Sequence, residues 1–300
     1  MVRLDVGFRS VERLWFAPDG RSLVAACPNG TYHRWDLFAP NRETRTLESF
    51  HGPEGAASFD LSMIADAWRR PETLQVGGVT LRRIGQSEWT DDDFRLEGMT
   101  LTFSPDGKRL WGIGASEHPQ HFAYHVYGWD TADGQRVLSM YGPDDLDWLV
   151  PSPDGRWAAG RTTSADELFF LNVWDESWQR TRRLPGRAHA VAWTPDCKSV
   201  VAGLSGRLVL VDGATAKVTA RSARFKQPVA AVAVHPARPF ALGAEGDSVR
   251  GWTWDGDTIM SRAAFDWQVG RVTALAISPD GAMAAAGGAD GNVVIWDLDE

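Results

Sequence analysis

A short turn phrase returns along the whole chain and limits the folds open to it. It reads "FAPDG" from Phe16, "FSPDG" from Phe103, "PSPDG" from Pro151, "WTPDC" from Trp193, "VHPAR" from Val234 and "ISPDG" from Ile277. The chemistry is that of a tight turn: Pro presets φ, Asp bonds its local backbone, and Gly accepts a left-handed conformation. A second phrase follows each turn, as "HRWD" to Asp36, "YGWD" to Asp130, "NVWD" to Asp175, "VLVD" to Asp212, "WTWD" to Asp255 and "VIWD" to Asp297. From turn proline to closing aspartate the gaps are 18, 25, 22, 17, 19 and 18 residues. Two short strands and a connection fit in each.

The closing aspartates are separated by 94, 45, 37, 43 and 42 residues. The ordinary steps fit the ~40 to 45 residues of a four-stranded propeller blade, and the first is about double, so a worn unit is expected inside it. "SFDLSMIADAW" and "VTLRRI" are the strands expected of that unit. The strand before each turn alternates with period two, the signature of a strand whose faces meet different surroundings. Ala190 and Ala192, Ala231 and Ala233, and Ala274 and Ala276 alternate with large residues such as Val191, Val232 and Leu275. Small residues on one face suit an innermost strand, where several sheets converge and room is short. Arginines in the segments after each WD (Arg136, Arg182, Arg183, Arg221, Arg262) suit an outer, solvent-facing strand.

The recurring "SPDG" turn, the "DGNVVIWD" strand and their spacing resemble the WD-repeat (WD40) β-propellers over nearly the whole chain. The resemblance implies an all-β fold: a seven-bladed β-propeller of four-stranded antiparallel blades. The blade cores are expected at about 12–50, 56–97, 99–140, 147–184, 189–222, 229–264 and 271–297, in one domain spanning 1–300. The Gly-His pair that usually opens such a repeat is missing except near "GRAHAV" at Gly186 to His189, although Asp290 stands where the family's turn aspartate would be. The last unit ends three residues after its WD and lacks a fourth strand. Residues 1–8, "MVRLDVGF", precede the first innermost strand, so they are expected to pair with 292–297 and complete the last blade, leaving no open sheet edge there.

Composition sets the outer limits. A net charge of −8 argues against nucleic-acid binding and membrane-surface binding, since both require a positive footprint. The N-terminus is polar by its third residue and no apolar run approaches the roughly 18 residues of a membrane span. Only Cys27 and Cys197 are present, which is no disulfide framework. All basic residues but Lys108, Lys198, Lys217 and Lys226 are arginine, a bias that points to a GC-rich bacterial genome. The expectation is a soluble, cytoplasmic chain with reduced thiols.

Candidates for chemistry are few. "EHPQHFAYH" brings His118, His121 and His125 within reach of a zinc-like ligand set, with an enlarged loop carrying the first two as the alternative. No nucleophile elbow, HExxH, phosphate loop or dinucleotide fingerprint is present. The acidic runs Asp91, Asp92, Asp93 and Asp144, Asp145, Asp147 fall in turn-rich loops where acids are ordinary. "NGT" at Asn29 to Thr31 matches a glycosylation acceptor but reads better as a hairpin turn. No cofactor is implied.

The binding reading has more support. In a propeller the connections between blades share one face with those between the second and third strands. That face would carry Trp89 with Asp91 and Asp92, Tyr141 with Asp144, Asp145 and Trp148, then Asp166, Glu167, Asp266 and Trp267. Aromatic anchors ringed by carboxylates favour a basic protein or peptide. The expectation is a non-enzymatic scaffold acting through this acidic, aromatic face. Two alternatives stand beside it: a propeller enzyme or metal protein with a site at the channel mouth, and a structural subunit held through Arg182 and Arg183. Any single tryptophan could instead seal a gap between blades.

Overall fold

The structure, a computed structural model, describes residues 1–7, 10–39, 44–48, 56–60, 62–69, 76–83, 88–91, 96–118, 121–143, 146–162, 166–173, 177–181 and 184–298. Among the described residues the regular elements are all β-strands. No helix is long and apolar enough to cross a membrane. The strands belong to two units, Met1–Leu47 with Thr181–Glu300, and Glu48–Arg180.

In the first unit the chain's two ends share one sheet. Val2–Asp5 runs antiparallel to Asn292–Asp297, with Val2 opposite Ile295 and Asp5 opposite Asn292. Met283–Gly288 and then Val272–Ile277 complete four strands in that order. Val2 and Leu4 pack on a cluster holding Val11, Leu14, Trp35, Ala276 and Ile295, while Arg3 and Asp5 face out. The expected closing strand is thus present and uses its period-two alternation to bury one face. A second four-stranded sheet follows from Arg13–Phe16 through Ser22–Ala26 and Thr31–Asp36 to Thr44–Glu48. An eight-stranded sheet joins two further meanders, 188–222 and 229–266, where Arg221 and Ser222 pair in parallel with Thr258 and Ile259.

The innermost strands carry the small residues expected of them. Val229–Val234 alternates buried and half-buried residues, and Ala231, Ala233, Ala274 and Ala276 are all buried. Close approach explains Gly288: a Cβ there would stand 1.7 Å from the Val269 carbonyl oxygen, so no side chain fits.

The second unit has a four-stranded sheet, from Leu146–Pro151 through Trp157–Thr162 and Leu168–Asn172 to Ser177–Arg180, and an eight-stranded sheet. The latter contains Met63–Arg69 and Val76–Arg83, the two strands expected of the worn repeat. "SFDLSMIADAW" is not one strand, however. Ser58, Phe59 and Asp60 form a turn between Ala56–Ala57 and Met63–Arg69.

That turn is the repeated phrase in a form the sequence reading missed. The Ser58 hydroxyl donates to Asp60 Oδ1 (2.7 Å) and accepts from Met63 N (3.0 Å), and Asp60 Oδ1 accepts from Ser62 N (3.0 Å). At Ser278 the same bonds measure 2.5 Å to Asp280 Oδ1, 2.8 Å from Met283 N and 3.0 Å from Ala282 N to Asp280 Oδ1. Ser104, Ser152 and Thr194 repeat the hydroxyl-to-carboxylate bond at 2.6 Å. Phe59 replaces proline without disturbing it, because the hydroxyl and the carboxylate hold the loop. In "VHPAR" a ring takes their place: His235 Nδ1 accepts from the Ala237 and Arg238 amides at 3.0 Å each. The WD aspartates do similar work at the same end of the sheet, Asp36 Oδ1 accepting from Phe38 N (3.0 Å) and Asp130 Oδ1 from Ala132 N (2.8 Å).

Three outcomes are expected. Deleting residues 1–8 exposes the face of Asn292–Asp297 and should abolish cooperative thermal unfolding, seen as loss of the melting transition by circular dichroism. Cys197 occupies the glycine position of its turn at φ 57°, a left-handed conformation that costs an L-residue about 1 kcal/mol. Cys197→Gly should therefore raise the unfolding free energy by up to that amount, read as a higher denaturation midpoint. Third, the Ser278 hydroxyl holds the Asp280 carboxyl below its ordinary 3.8. A depressed carboxyl stabilises the fold fully above its unfolded value, and that stabilisation fades as pH falls through the lower folded value. Ser278→Ala should cost about 1–2 kcal/mol at neutral pH, and denaturant titrations should show the gap from wild type narrowing below 3.8.

Candidate functional site

The sequence-derived site residues fall in both units. In the second, Tyr141 ends the strand Arg136–Tyr141 and is 66% exposed. Its ring lies 4.4 Å from His125, which stacks on Tyr127 at 5.6 Å, and Tyr127 in turn lies 5.9 Å from Trp129. His125, Tyr127 and Trp129 alternate along His121–Asp130, so strand periodicity builds the ladder and Tyr141 caps it. The Arg136 guanidinium covers Tyr127 at 5.5 Å. His125 Nδ1 is buried without a hydrogen-bond partner. Burial pushes the ring's pKa below its usual value, so it is neutral near pH 7.

Beyond Tyr141 the chain is pinned by the Gly142 amide, which donates to the Tyr124 carbonyl (2.7 Å). Trp148 lies half-buried in Leu146–Pro151 with the Arg161 guanidinium 5.3 Å from its ring centre. Beside this connection is a shallow hollow of about 10 Å³, lined by Met140, Gly142, Pro143, Leu146 and Trp178 among others. Every lining residue is apolar. Such a surface offers no acid, base or nucleophile.

In the first unit, Asp266 Oδ1 accepts from Gln268 N (2.8 Å), and Trp267 stacks on Trp296 (5.0 Å) and Phe265 (5.7 Å). Arg3 donates to the Trp267 carbonyl at 3.2 Å. Turn formation and packing beside the closing strand account for both residues. Trp89 and Asp91 lie within the strand Glu88–Asp91, not in the connection after it. Asp92, Asp144 and Asp145 fall outside the described residues.

The histidine stretch departs from expectation. His118 ends Arg109–His118 and His121 begins His121–Asp130, each the other's register partner. Long strands continue to the tip in place of an enlarged loop. His121 and His125 stand roughly 13 Å apart along one extended strand, at ~3.3 Å per residue, whereas zinc requires ligands converging near 2 Å. Among the described residues no three His, Cys, Asp or Glu side chains are grouped to hold a metal. Neither Cys27 nor Cys197 is in a disulfide. The family's expected turn aspartate, Asp290, accepts from Asn292 N (3.0 Å) and Nδ2 (2.8 Å), and His189 lies 2.8 Å from the Ser205 hydroxyl.

Residues 264–297, which span the three strands that share a sheet with Val2–Asp5, match the family model described as "WD domain, G-beta repeat". That segment is a WD40 repeat. In fold, the chain is similar along its length to a chain in the "Crystal Structure of Mitotic Checkpoint Complex", with a TM-score of 0.74. The likeness covers 99% of this chain and 91% of that one, at 15% identity, and is therefore one of fold alone. No curated protein sequence matches. WD40 propellers commonly mediate protein–protein interaction.

Sequence reading also missed a set of cations. From Arg180 to Ala230 ten basic residues stand against two acidic ones, Asp196 and Asp212. The signal was local charge, which the net value of −8 conceals.

Proposed function

We propose that the chain is a seven-bladed WD40 propeller serving as a non-enzymatic platform for a protein or peptide partner, with the Tyr141 and Trp148 region as its docking surface. The observation that carries this reading is the exposure of Tyr141 on a fixed aromatic ladder beside an apolar depression. A rigid, half-sealed aromatic with little rotamer freedom to lose is the kind of residue that anchors an interface. Asp144 and Asp145 follow it in sequence and would direct a basic segment to that surface. Residence in the cytoplasm belongs to the same proposal, supported by two cysteines that form no disulfide.

The test is affinity capture from the source cell's lysate with wild type and with a Tyr141→Ala, Trp148→Ala variant of unchanged circular dichroism. A protein held by wild type should be lost or retained at about a tenth of the amount, the loss expected of removing interface anchors worth ~2 kcal/mol. Equal retention by both would remove this surface from the function.

A further inference from the structure

We infer that the first unit carries a second binding surface, a cationic one for a short acidic protein segment, at the end of the 188–222 meander formed by Arg187, Arg207, Arg224 and Lys226. Arg187 directly precedes the strand Ala188–Trp193, and Arg207 opens Arg207–Asp212. Arg224 and Lys226 lie in the connection between Val218–Ser222 and Val229–Val234. Strand directions place all four at one end of the meander, whereas Asp196 and Asp212 occupy turns at the other end.

Backbone bonds draw the three segments together. Ser205 N donates to the Arg187 carbonyl (2.9 Å), Phe225 N donates to the Gly206 carbonyl (3.1 Å), and Ser205 bridges to Pro228. Gly206 makes the approach possible, since a Cβ there would lie 2.6 Å from the Phe225 carbonyl oxygen and its φ is +76°. Phe225 is itself anchored, its ring 5.2 Å from that of Trp252. The exposed side chains of Arg224 and Lys226 therefore flank a fixed residue, so the backbone that carries them is already ordered before a ligand binds.

The four cations have no carboxylate partner among the described residues, and Arg207 Nε is buried with no hydrogen bond. Unpaired like charges held together raise the energy of the free surface, and an anionic ligand relieves it. The field is confined: the next meander's turn holds Glu245, engaged by Arg250 at 3.0 Å, and the exposed Asp247. A few carboxylates in an extended peptide match that footprint, while a nucleic-acid duplex would run on over acidic surface in a chain of net −8.

This surface is independent of the Tyr141 reading, and the experiment separates them. Fluorescein-labelled hexaglutamate is titrated with the full chain by anisotropy at low and raised salt, beside an oligothymidylate of equal charge. Wild type should bind hexaglutamate saturably and less tightly in salt; Arg224→Glu with Lys226→Glu should weaken binding by roughly tenfold or more. The charge-reversed chain should melt as wild type does, since both side chains are exposed. Arg207→Gln provides a second, milder loss. Tyr141→Ala with Trp148→Ala should leave hexaglutamate binding unchanged. Absence of saturable binding by wild type, equal binding by the charge-reversed chain, or tighter binding of oligothymidylate would each overturn the inference.

Discussion

A hydroxyl and a carboxylate two residues apart hold the corners at Ser58, Ser104, Ser152, Thr194 and Ser278, and the meanders built on those corners depend on them. At Ser278 the Oγ–H donates to Asp280 while the same oxygen receives the Met283 amide, so one side chain fixes both the loop and the first residue of the next strand. The register of the two innermost strands follows from that corner, and so does the face on which the alanines lie. A one-residue slip would turn Ala274 and Ala276 away from the crowded side and push Leu275 into it. At "VHPAR" an imidazole holds the corner by another route, accepting from the two amides after the proline, whereas the Ser278 corner engages the amides of Ala282 and Met283. Packing then adds most of the stabilisation, but packing of this kind needs the strands already aligned.

Much of the fold was legible for that reason. Pro, Asp and Gly spacing records the corners directly, and the missing fourth strand of the last repeat pointed to the N-terminal residues as its replacement. The worn repeat was half-legible: Met63–Arg69 could be foreseen, but Phe59 in the proline position hid a corner that Ser58 and Asp60 form as well as any other. Local bonding chemistry was conserved in kind while the visible phrase was not. The hairpin joining His118 to His121 was read as a loop because histidine and proline suggest irregularity, whereas ten-residue strands on both sides carry the ladder to the tip.

The site was harder to read, and the reason is physical. An aromatic residue in sequence gives no sign of whether it seals a core or faces solvent. Trp267 and Tyr141 stand in like positions after an outer strand, yet Trp267 stacks on Trp296 and supports Arg3. Tyr141 ends largely exposed because the residue behind its ring is His125, already part of a stack. Charge misleads in another way. A chain-wide sum cannot show that successive connections at one sheet end concentrate Arg187, Arg207, Arg224 and Lys226, because proximity there is made by the meander and not by sequence adjacency.

The strand Val2–Asp5 also imposes an order in time. Its partner, Asn292–Asp297, lies far along the chain, so Val2–Asp5 must wait for the long intervening stretch before it can pair. Until then the Asn292–Asp297 sheet has no completed outer edge, and Val2 and Leu4 remain in water. Closure is a contact of nearly maximal sequence separation, the class that slows folding most. During that interval the unfinished sheet is open to the same strand from another molecule, which makes exchange of N-terminal segments between nascent chains the characteristic misassembly of this architecture.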